Sequence, residues 1–336
     1  MAKQIGKQTY KLDKPAYIIG RASLVGEKES KGPLCEYFAK KEIDDTLGES
    51  TFEKSERRLM EDCISLVLKN SKVTKEGIDI MIGGDLLNQI VTANYSAQKF
   101  GWPFVGVYSA CSTMSESLGV AACLLDAGVG KNILCVTGSH FASAERQFRG
   151  PLELASQRQT YSQWTVTGMG STILSLSKKK GAAKITHVCF GRVTDYGVKD
   201  IANMGAAMAP AACETLCQFL EDTKTKPQDY DLIITGDLGK LGSDILKDLM
   251  IDRGYCVGKN FSDCGHIIFD GSQKTFQGGS GAGCSASVFN SYLLDKIEDG
   301  TFKKILFMPT GALMSTTSNQ QGDTIPCISH LLVVEG

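Results

Sequence analysis

A chain of 336 residues with 42% hydrophobic and 22% charged side chains is long enough for one large domain or two packed halves, and its composition is that of an ordinary folded protein. A net charge of −1 supplies no basic field for nucleic acid or an anionic bilayer. No apolar run approaches the roughly 20 residues of a membrane-spanning helix and no signal peptide opens the chain, so any membrane role is expected to be peripheral, through a partner.

Residues 1–14 are polar and read as a loose or edge segment, and Ala16-Tyr-Ile-Ile-Gly20 as a buried strand. Residues 21–56 mix charge, glycine and short apolar patches and read as an insertion of loops and short helices. Glu56 to Asn70 is amphipathic, with Leu59, Cys63, Leu66 and Leu68 near helical spacing. Asp79-Ile-Met-Ile-Gly-Gly-Asp-Leu86 reads as a strand and a glycine turn. Trp102, Phe104, Val105 and Val107 read as a further buried strand, which turns at Ser109-Ala-Cys-Ser-Thr113 into a helix ending near Gly128. Asn132 to Thr137 is another buried strand, followed by Gly138-Ser-His140; residues 150–163 are loop-like; Trp164 to Ser177 is a glycine-notched apolar strand.

The second half repeats this order. Gly191 answers Gly20, the helix Ala211–Leu220 answers Glu56–Asn70, and Asp231-Leu-Ile-Ile-Thr-Gly-Asp-Leu238 answers Asp79–Leu86. Ala282-Gly-Cys-Ser285 answers Ser109–Ser112, Lys303–Leu306 answers Lys131–Leu134, and Thr310-Gly311 answers Thr137-Gly138. The changing spacing places one insertion near residues 21–56 and a compensating one near 250–278. Two domains follow, 1–178 and 179–336. Alternating strands and helices predict largely parallel sheets, and two copies predict the layer order helix, sheet, helix, sheet, helix, with a site where the two cysteine-led helices meet.

Cys111 therefore sits where a strand turns into a helix, a place whose free N–H groups and dipole favour a thiolate or a bound anion. The 12 cysteines include no CxxC pair and mostly lie in apolar runs, the pattern of reduced thiols; Cys213 and Cys217 read as packing rather than a metal site.

A duplicated α/β chain with Cys111 at this turn, the glycine strand Thr167–Leu174 and the turns Gln277–Ser285 and Pro309–Ala312 resembles the thiolase-like superfamily of thiolases and ketoacyl synthases. The resemblance implies an α/β fold of five αβαβα layers built by duplication. More narrowly, Ser109–Thr113, Ser139-His140 with Ala144–Arg149, Trp164–Gly168, Gly278–Gly281, Thr310–Leu313 and Ser318–Gln321 with Ile325-Pro-Cys327 resemble the stage V sporulation protein AD family nearly end to end. That resemblance implies a soluble, peripheral member of the spore inner-membrane apparatus that moves pyridine-2,6-dicarboxylic (dipicolinic) acid into the developing spore. It implies binding of the acid, alone or with calcium, no turnover, other membrane components as partners and, by analogy, a homodimer.

Condensing enzymes of the superfamily usually add a histidine, or a histidine and an asparagine, on two loops of the second half. Here those loops read Ile234-Thr-Gly-Asp-Leu-Gly239 and Gly279-Ser-Gly-Ala-Gly283, and His187, His266 and His330 fall elsewhere. No catalytic set and no metal ligand set is therefore expected. The expected ligand-binding residues are Cys111, Ser112 (with the amides of Ser112 and Thr113), Ser139, His140, Gly279 and Ser280. His140 reads either as a ligand or as a loop histidine satisfied by backbone. Arg146 and Arg149 read as braces of a dimer interface or as forked donors to carboxylates. Asp237 matches Asp85 and reads as a structural turn residue, since it would repel a diacid unless calcium bridged them. The rival readings are an acyl-transfer enzyme with Cys111 as nucleophile and a scaffold with a vestigial pocket.

Overall fold

The structure, a computed structural model, describes residues 1–148 and 157–336. One 12-stranded sheet runs through it. Ten strands form its continuous path. In the first half these are β1 (Thr9–Val25), β2 (Ile80–Gly84), β3 (Phe104–Gly106), β4 (Asn132–Ser139) and β5 (Gly168–Ser175). In the second they are β6 (Lys184–Cys189), β7 (Leu232–Thr235), β8 (Phe261–Asp263), β9 (Lys304–Met308) and β10 (Leu331–Glu335). Their order is β8-β7-β9-β10-β6-β1-β5-β4-β2-β3, so each half carries the same permutation about a central antiparallel β1–β6 seam. The predicted sheets are largely parallel; the observed one is mixed. Along this path parallel pairing is confined to the outer three strands of each half, and β1, β5, β6 and β10 pair antiparallel; off the path, β1 also pairs parallel with the short strand Lys40–Lys41.

Apart from two short ones, Leu294–Glu298 and Thr316–Gln320, the α-helices among the described residues are α1 (Phe52–Ser71), α2 (Val91–Phe100), α3 (Thr113–Asp126), α4 (Phe141–Phe148), α5 (Met204–Thr223), α6 (Gly239–Asp252), α7 (Cys264–Ile268) and α8 (Ala282–Val288). Successive strand residues point to opposite faces, and here they feed different cores. Met81, Leu134 and Val136 pack outward with Leu59, Met60 and Ile64 of α1 and Ala97 of α2. Their neighbours Ile82, Ile133 and Cys135 pack inward with Met114 and Leu118 of α3 and with Ala286 and Val288 of α8. In the second half Ile305, Phe307, Leu332 and Val334 join that central core, whereas Leu306, Met308, Leu331 and Val333 face Met208 of α5 and Leu246 of α6. Three cores separated by two halves of one sheet give the five αβαβα layers.

Residues 1–14 are more ordered than their polarity predicts. Thr9, Tyr10 and Lys11 already pair with Cys189, Val188 and His187 across the seam. The carboxylate of Asp222, at the end of α5, accepts from the amides of Lys7, Gln8 and Thr9 at 2.8, 2.9 and 3.0 Å. Asp222→Ala leaves three donors without that partner and is expected to cost about 1–3 kcal/mol, read as a lower urea midpoint at unchanged m-value. The strand predicted as buried, β3, is instead the sheet edge, with Val105 39% exposed. Helix α2 has no counterpart in the predicted elements; its signal is Gly101, a left-handed C-cap at φ 72°.

Candidate functional site

Between β3 and α3 the chain makes a tight elbow. Ala110 has φ +49°, a left-handed conformation costly for a residue with a Cβ. The elbow holds the Cys111 side chain at the bottom of a cleft, where the residue is 6% exposed. Two hydroxyls lock it: Thr113 Oγ1 donates to the Ala110 carbonyl (2.7 Å), and Ser112 Oγ donates to the Ser109 carbonyl (3.1 Å). The Ser112 amide donates to the Ser109 carbonyl (3.0 Å) and the Thr113 amide to the Ala110 carbonyl. The amides expected to meet a ligand carboxylate are thus consumed by a 3-10 turn, Ala110–Ser112, that precedes the helix. Ser112 belongs to the elbow and not to the cleft wall. From below, the Gly191 amide donates to Nδ1 of His330 (3.2 Å), so Nε2 carries the proton and faces Ser109 Oγ at 3.0 Å. Burial pushes the His330 imidazole down to about 4, which keeps it neutral.

The thiol's partner is Asp237. The Cys111 thiol donates to its carboxyl group. Thr310 Oγ1 donates to Oδ1 at 2.9 Å, and Ser280 Oγ and the Gly281 amide donate to Oδ2 at 3.2 and 3.3 Å. Complete burial pushes the Asp237 carboxyl up to about 7, and the nearby Asp263 adds to the rise. Asp237 therefore corrects the turn-residue reading. The turn duty that Asp85 performs, accepting from the Leu87 and Ala93 amides, is taken in the second half by Asp263, which accepts from the Leu238 and Gly239 amides. The available signal was Asp237's place on the loop where condensing enzymes carry their histidine.

The remaining expected site residues separate into two groups. Ser280 lines the space over the thiol, with Thr165, Gly281, Met204, Phe148 and Met314. Ser139, Gly279 and His140 do not line it. Ser139 Oγ donates to the Val166 carbonyl (2.8 Å) and accepts from the Gly283 amide (3.0 Å), so its hydroxyl is spent on holding β4 to α8. Gly279 lies in a short parallel ribbon, Gly279–Ser280 beside Trp164–Thr165, where a Cβ would meet Ile268 at 2.8 Å; it is small for packing. His140 faces the 21–56 insertion. Its Nδ1 accepts from the Ala142 amide (3.2 Å), its Nε2 donates to the Asp45 carbonyl (2.7 Å), and burial lowers its pKa. The reading of His140 as a histidine satisfied by backbone is the one the geometry bears out. Arg146 pairs with Glu53 of α1 at 3.2 Å; Arg149 lies outside the described residues.

The space over the thiol is about 10 Å³, room for one water. Leu86, Phe148 and Met314 also line an outer pocket of about 350 Å³. The outer pocket is lined by Asn88, Gln89, Gln147, Tyr108 and Ser315 together with Leu87, Ile90, Phe148 and Met314, among others. No carboxylate lines it among the described residues. Gln89 and Ile90, on its lining, have φ +59° and +50°; a left-handed β-branched residue is rare and marks a constrained loop.

The sequence pattern of the family described as Stage V sporulation protein AD (SpoVAD) matches residues 6–335. The chain belongs to the SpoVAD family. Stage V sporulation protein AD of Bacillus subtilis (strain 168) is 42% identical over 333 residues, covering 99% of this chain and 98% of that one. Membership places the protein in sporulation. The SpoVAD chain also shares its fold with solved condensing enzymes: AbyA1, a tetronic acid condensing enzyme (TM-score 0.60, 15% identity, 96% of this chain and 100% of that one); 3-oxoacyl-[acyl-carrier-protein] synthase III of Aquifex aeolicus VF5 (0.58, 15%, 96% and 100%); and an OleA variant of Xanthomonas campestris (0.59, 14%, 97% and 99%). These likenesses establish a thiolase-like fold. No helix among the described residues is long and apolar enough to cross a membrane.

Proposed function

We propose that this SpoVAD-family protein binds dipicolinate, free or as its calcium complex, without converting it. It would serve as a peripheral component of the spore inner-membrane apparatus that loads the acid. The observation that carries the reading is the outer pocket. A flat dianion needs neutral or positive donors along its carboxylate edge and an apolar wall against its ring. The amides of Asn88, Gln89 and Gln147 and the hydroxyls of Tyr108 and Ser315 supply the first, and Phe148, Met314 and Leu87 the second. Amide oxygens are also hard ligands suited to calcium, so the neutral calcium complex fits the same lining.

The thiol below supports binding over turnover. A nucleophilic cysteine is activated by a neighbouring cation or base. Cys111 donates to Asp237, and no cation of an ion pair is seen to hold the thiol in its anionic form among the described residues; an ionised carboxylate there opposes a standing thiolate. Exposed edge strand β3, beside the pocket, supports pairing of two copies across that edge, which light scattering would detect.

Isothermal titration tests the reading. The native protein is expected to bind dipicolinate, with or without calcium, and Asn88→Ala combined with Gln147→Ala to weaken that binding at least tenfold. Absence of binding in both conditions overturns it. The elbow at Cys111 also favours an acyl-enzyme reading; an acyl adduct on Cys111 by intact mass after incubation with acyl-CoA thioesters would establish that reading instead.

A further inference from the structure

Residues of the second-half insertion, together with Lys240 of α6, line a separate cleft beside the Gly279–Ser280 ribbon. It holds about 290 Å³ and is lined by Lys240, His266, Phe269, Asp270, Lys274 and Phe276, among others. Lys240 is the second residue of α6 and His266 lies in α7, while Lys274 and Phe276 come from the turn before Gly278. Lys240, His266 and Lys274 are exposed, and among the described residues neither ammonium pairs with a carboxylate. The one acid on the lining, Asp270, is turned to its own loop, where Oδ1 accepts from the Ser272 amide at 2.8 Å and the side chain caps the Gly271–Gln273 turn. Phe269 is buried and Phe276 is 42% exposed, so the cleft has one aromatic in its wall and a second at its mouth. Lys274 and Phe276 both hold left-handed backbone, φ +54° and +55°, on either side of buried Thr275.

The backbone beneath is fixed by close approach. A Cβ on Gly265 would lie 2.2 Å from the Gly279 carbonyl oxygen, and one on Gly278 2.3 Å from that of Gly265. Gly278 lines this cleft, and Ser280 and Gly281, two and three residues on, line the space over Cys111.

We propose that this cleft is a second ligand site, taking a small planar dianion of the aromatic dicarboxylate class. Two lysines and a histidine line a volume suited to a single-ring molecule, against one acid, Asp270, and two phenylalanines supply apolar lining. The lysine pair makes the site electrostatic, unlike the neutral outer pocket, so the two respond differently to salt. The site stands on its own residues; the identity of its ligand rests on the dipicolinate reading above.

Equilibrium dialysis with labelled dipicolinate at low ionic strength tests it on the full chain. The native protein is expected to bind two molecules. Lys240→Gln with Lys274→Gln, both on exposed side chains, is expected to remove one and leave the other; Asn88→Ala with Gln147→Ala is expected to do the converse. Raising salt to about 0.3 M is expected to weaken only the lysine-dependent site, by tenfold or more. If the lysine variant binds the same number with the same affinity as the native protein, this inference is overturned whatever happens at the outer pocket. If the native protein binds one molecule and the lysine variant none, this inference stands and the outer-pocket reading falls. No binding to the native protein overturns both.

Discussion

Asp237→Asn is expected to stabilise the protein relative to the native chain at pH 8 and to lose that advantage at pH 4. The Asp237 carboxyl titrates near 3.8 when exposed and is pushed up to about 7 in the fold. Between those values the folded state holds a proton that the unfolded chain has released, so native stability falls as pH rises through that window and levels off above it. A displacement of that size corresponds to about 4 kcal/mol as an upper bound. Asparagine keeps an acceptor for the Gly281 amide and removes the charge, and the Thr310 and Ser280 hydroxyls can rotate to suit it. Glu29, pushed up to about 8, and Asp85, up to about 6, act with the same sign in both proteins, so the difference between variant and native isolates Asp237. Urea unfolding at both pH values checks this; an equal stability difference at the two would refute it.

Gly170→Ala is expected to be among the most damaging single-methyl additions in the chain. Gly170 lies in β5 directly under α8, where a Cβ would sit 2.2 Å from the Ala286 carbonyl oxygen and 2.7 Å from Asn290 Nδ2. Neither atom is free to move. Asn290 donates from Nδ2 to that same Ala286 carbonyl (3.0 Å) and accepts from Thr172 Oγ1 (2.6 Å), at a π-helical segment, Phe289–Leu293, that continues α8. Accommodation requires lifting α8 from the sheet, and the loss is expected to be about 3 kcal/mol or more. Gly181→Ala is the control: it also adds a methyl, at φ +76° but with open space around it, and is expected to cost only about 1–2 kcal/mol of backbone strain. Comparable losses for the two variants in urea would refute the packing account.

The duplication was legible because matched residues do matched work. Asp79 Oδ2 accepts from the Lys131 and Asn132 amides at 2.6 and 2.9 Å, and Asp231 Oδ2 accepts from the Lys303 and Lys304 amides at 2.7 and 2.9 Å. Such pins tie strand ends together within each half and leave a trace in matching order, although the pinned residues lie 52 apart in the first half and 72 in the second. The mixed pairing of the sheet was not legible, because alternation of strands and helices does not fix the direction in which neighbouring strands pair; β5 runs antiparallel to both β1 and β4. The edge position of β3 was hidden by its apolar residues, which read as buried when their neighbours in the sheet are unknown.

Cys111 and Ser280 lie together over one small space, as their sequence positions led one to expect, whereas the surroundings of Ser112, Ser139, Gly279, His140 and Asp237 were misread, for one physical reason. Each misread group has its partner decided by a contact far along the chain or by a local turn that composition does not announce. The His140 ring is claimed by Asp45, from an insertion with no counterpart in the repeat, and the Asp237 carboxyl by Thr310 and Ser280, from two other loops. Residue type gave the chemistry available, and long-range packing decided where it was used.

The interior layer formed by α3 and α8 is contributed by both copies and owned by neither. Drift in one copy's outer layer touches only that copy's own helices, whereas any volume change along Met114, Leu118, Ala286 or Val288 must be answered by the other copy at once. Divergence after the ancestral doubling is therefore cheapest in the peripheral layers and the loops. That is where the two insertions lie, and it is how one loop came to carry an aspartate beneath a thiol while the framework around it kept its symmetry.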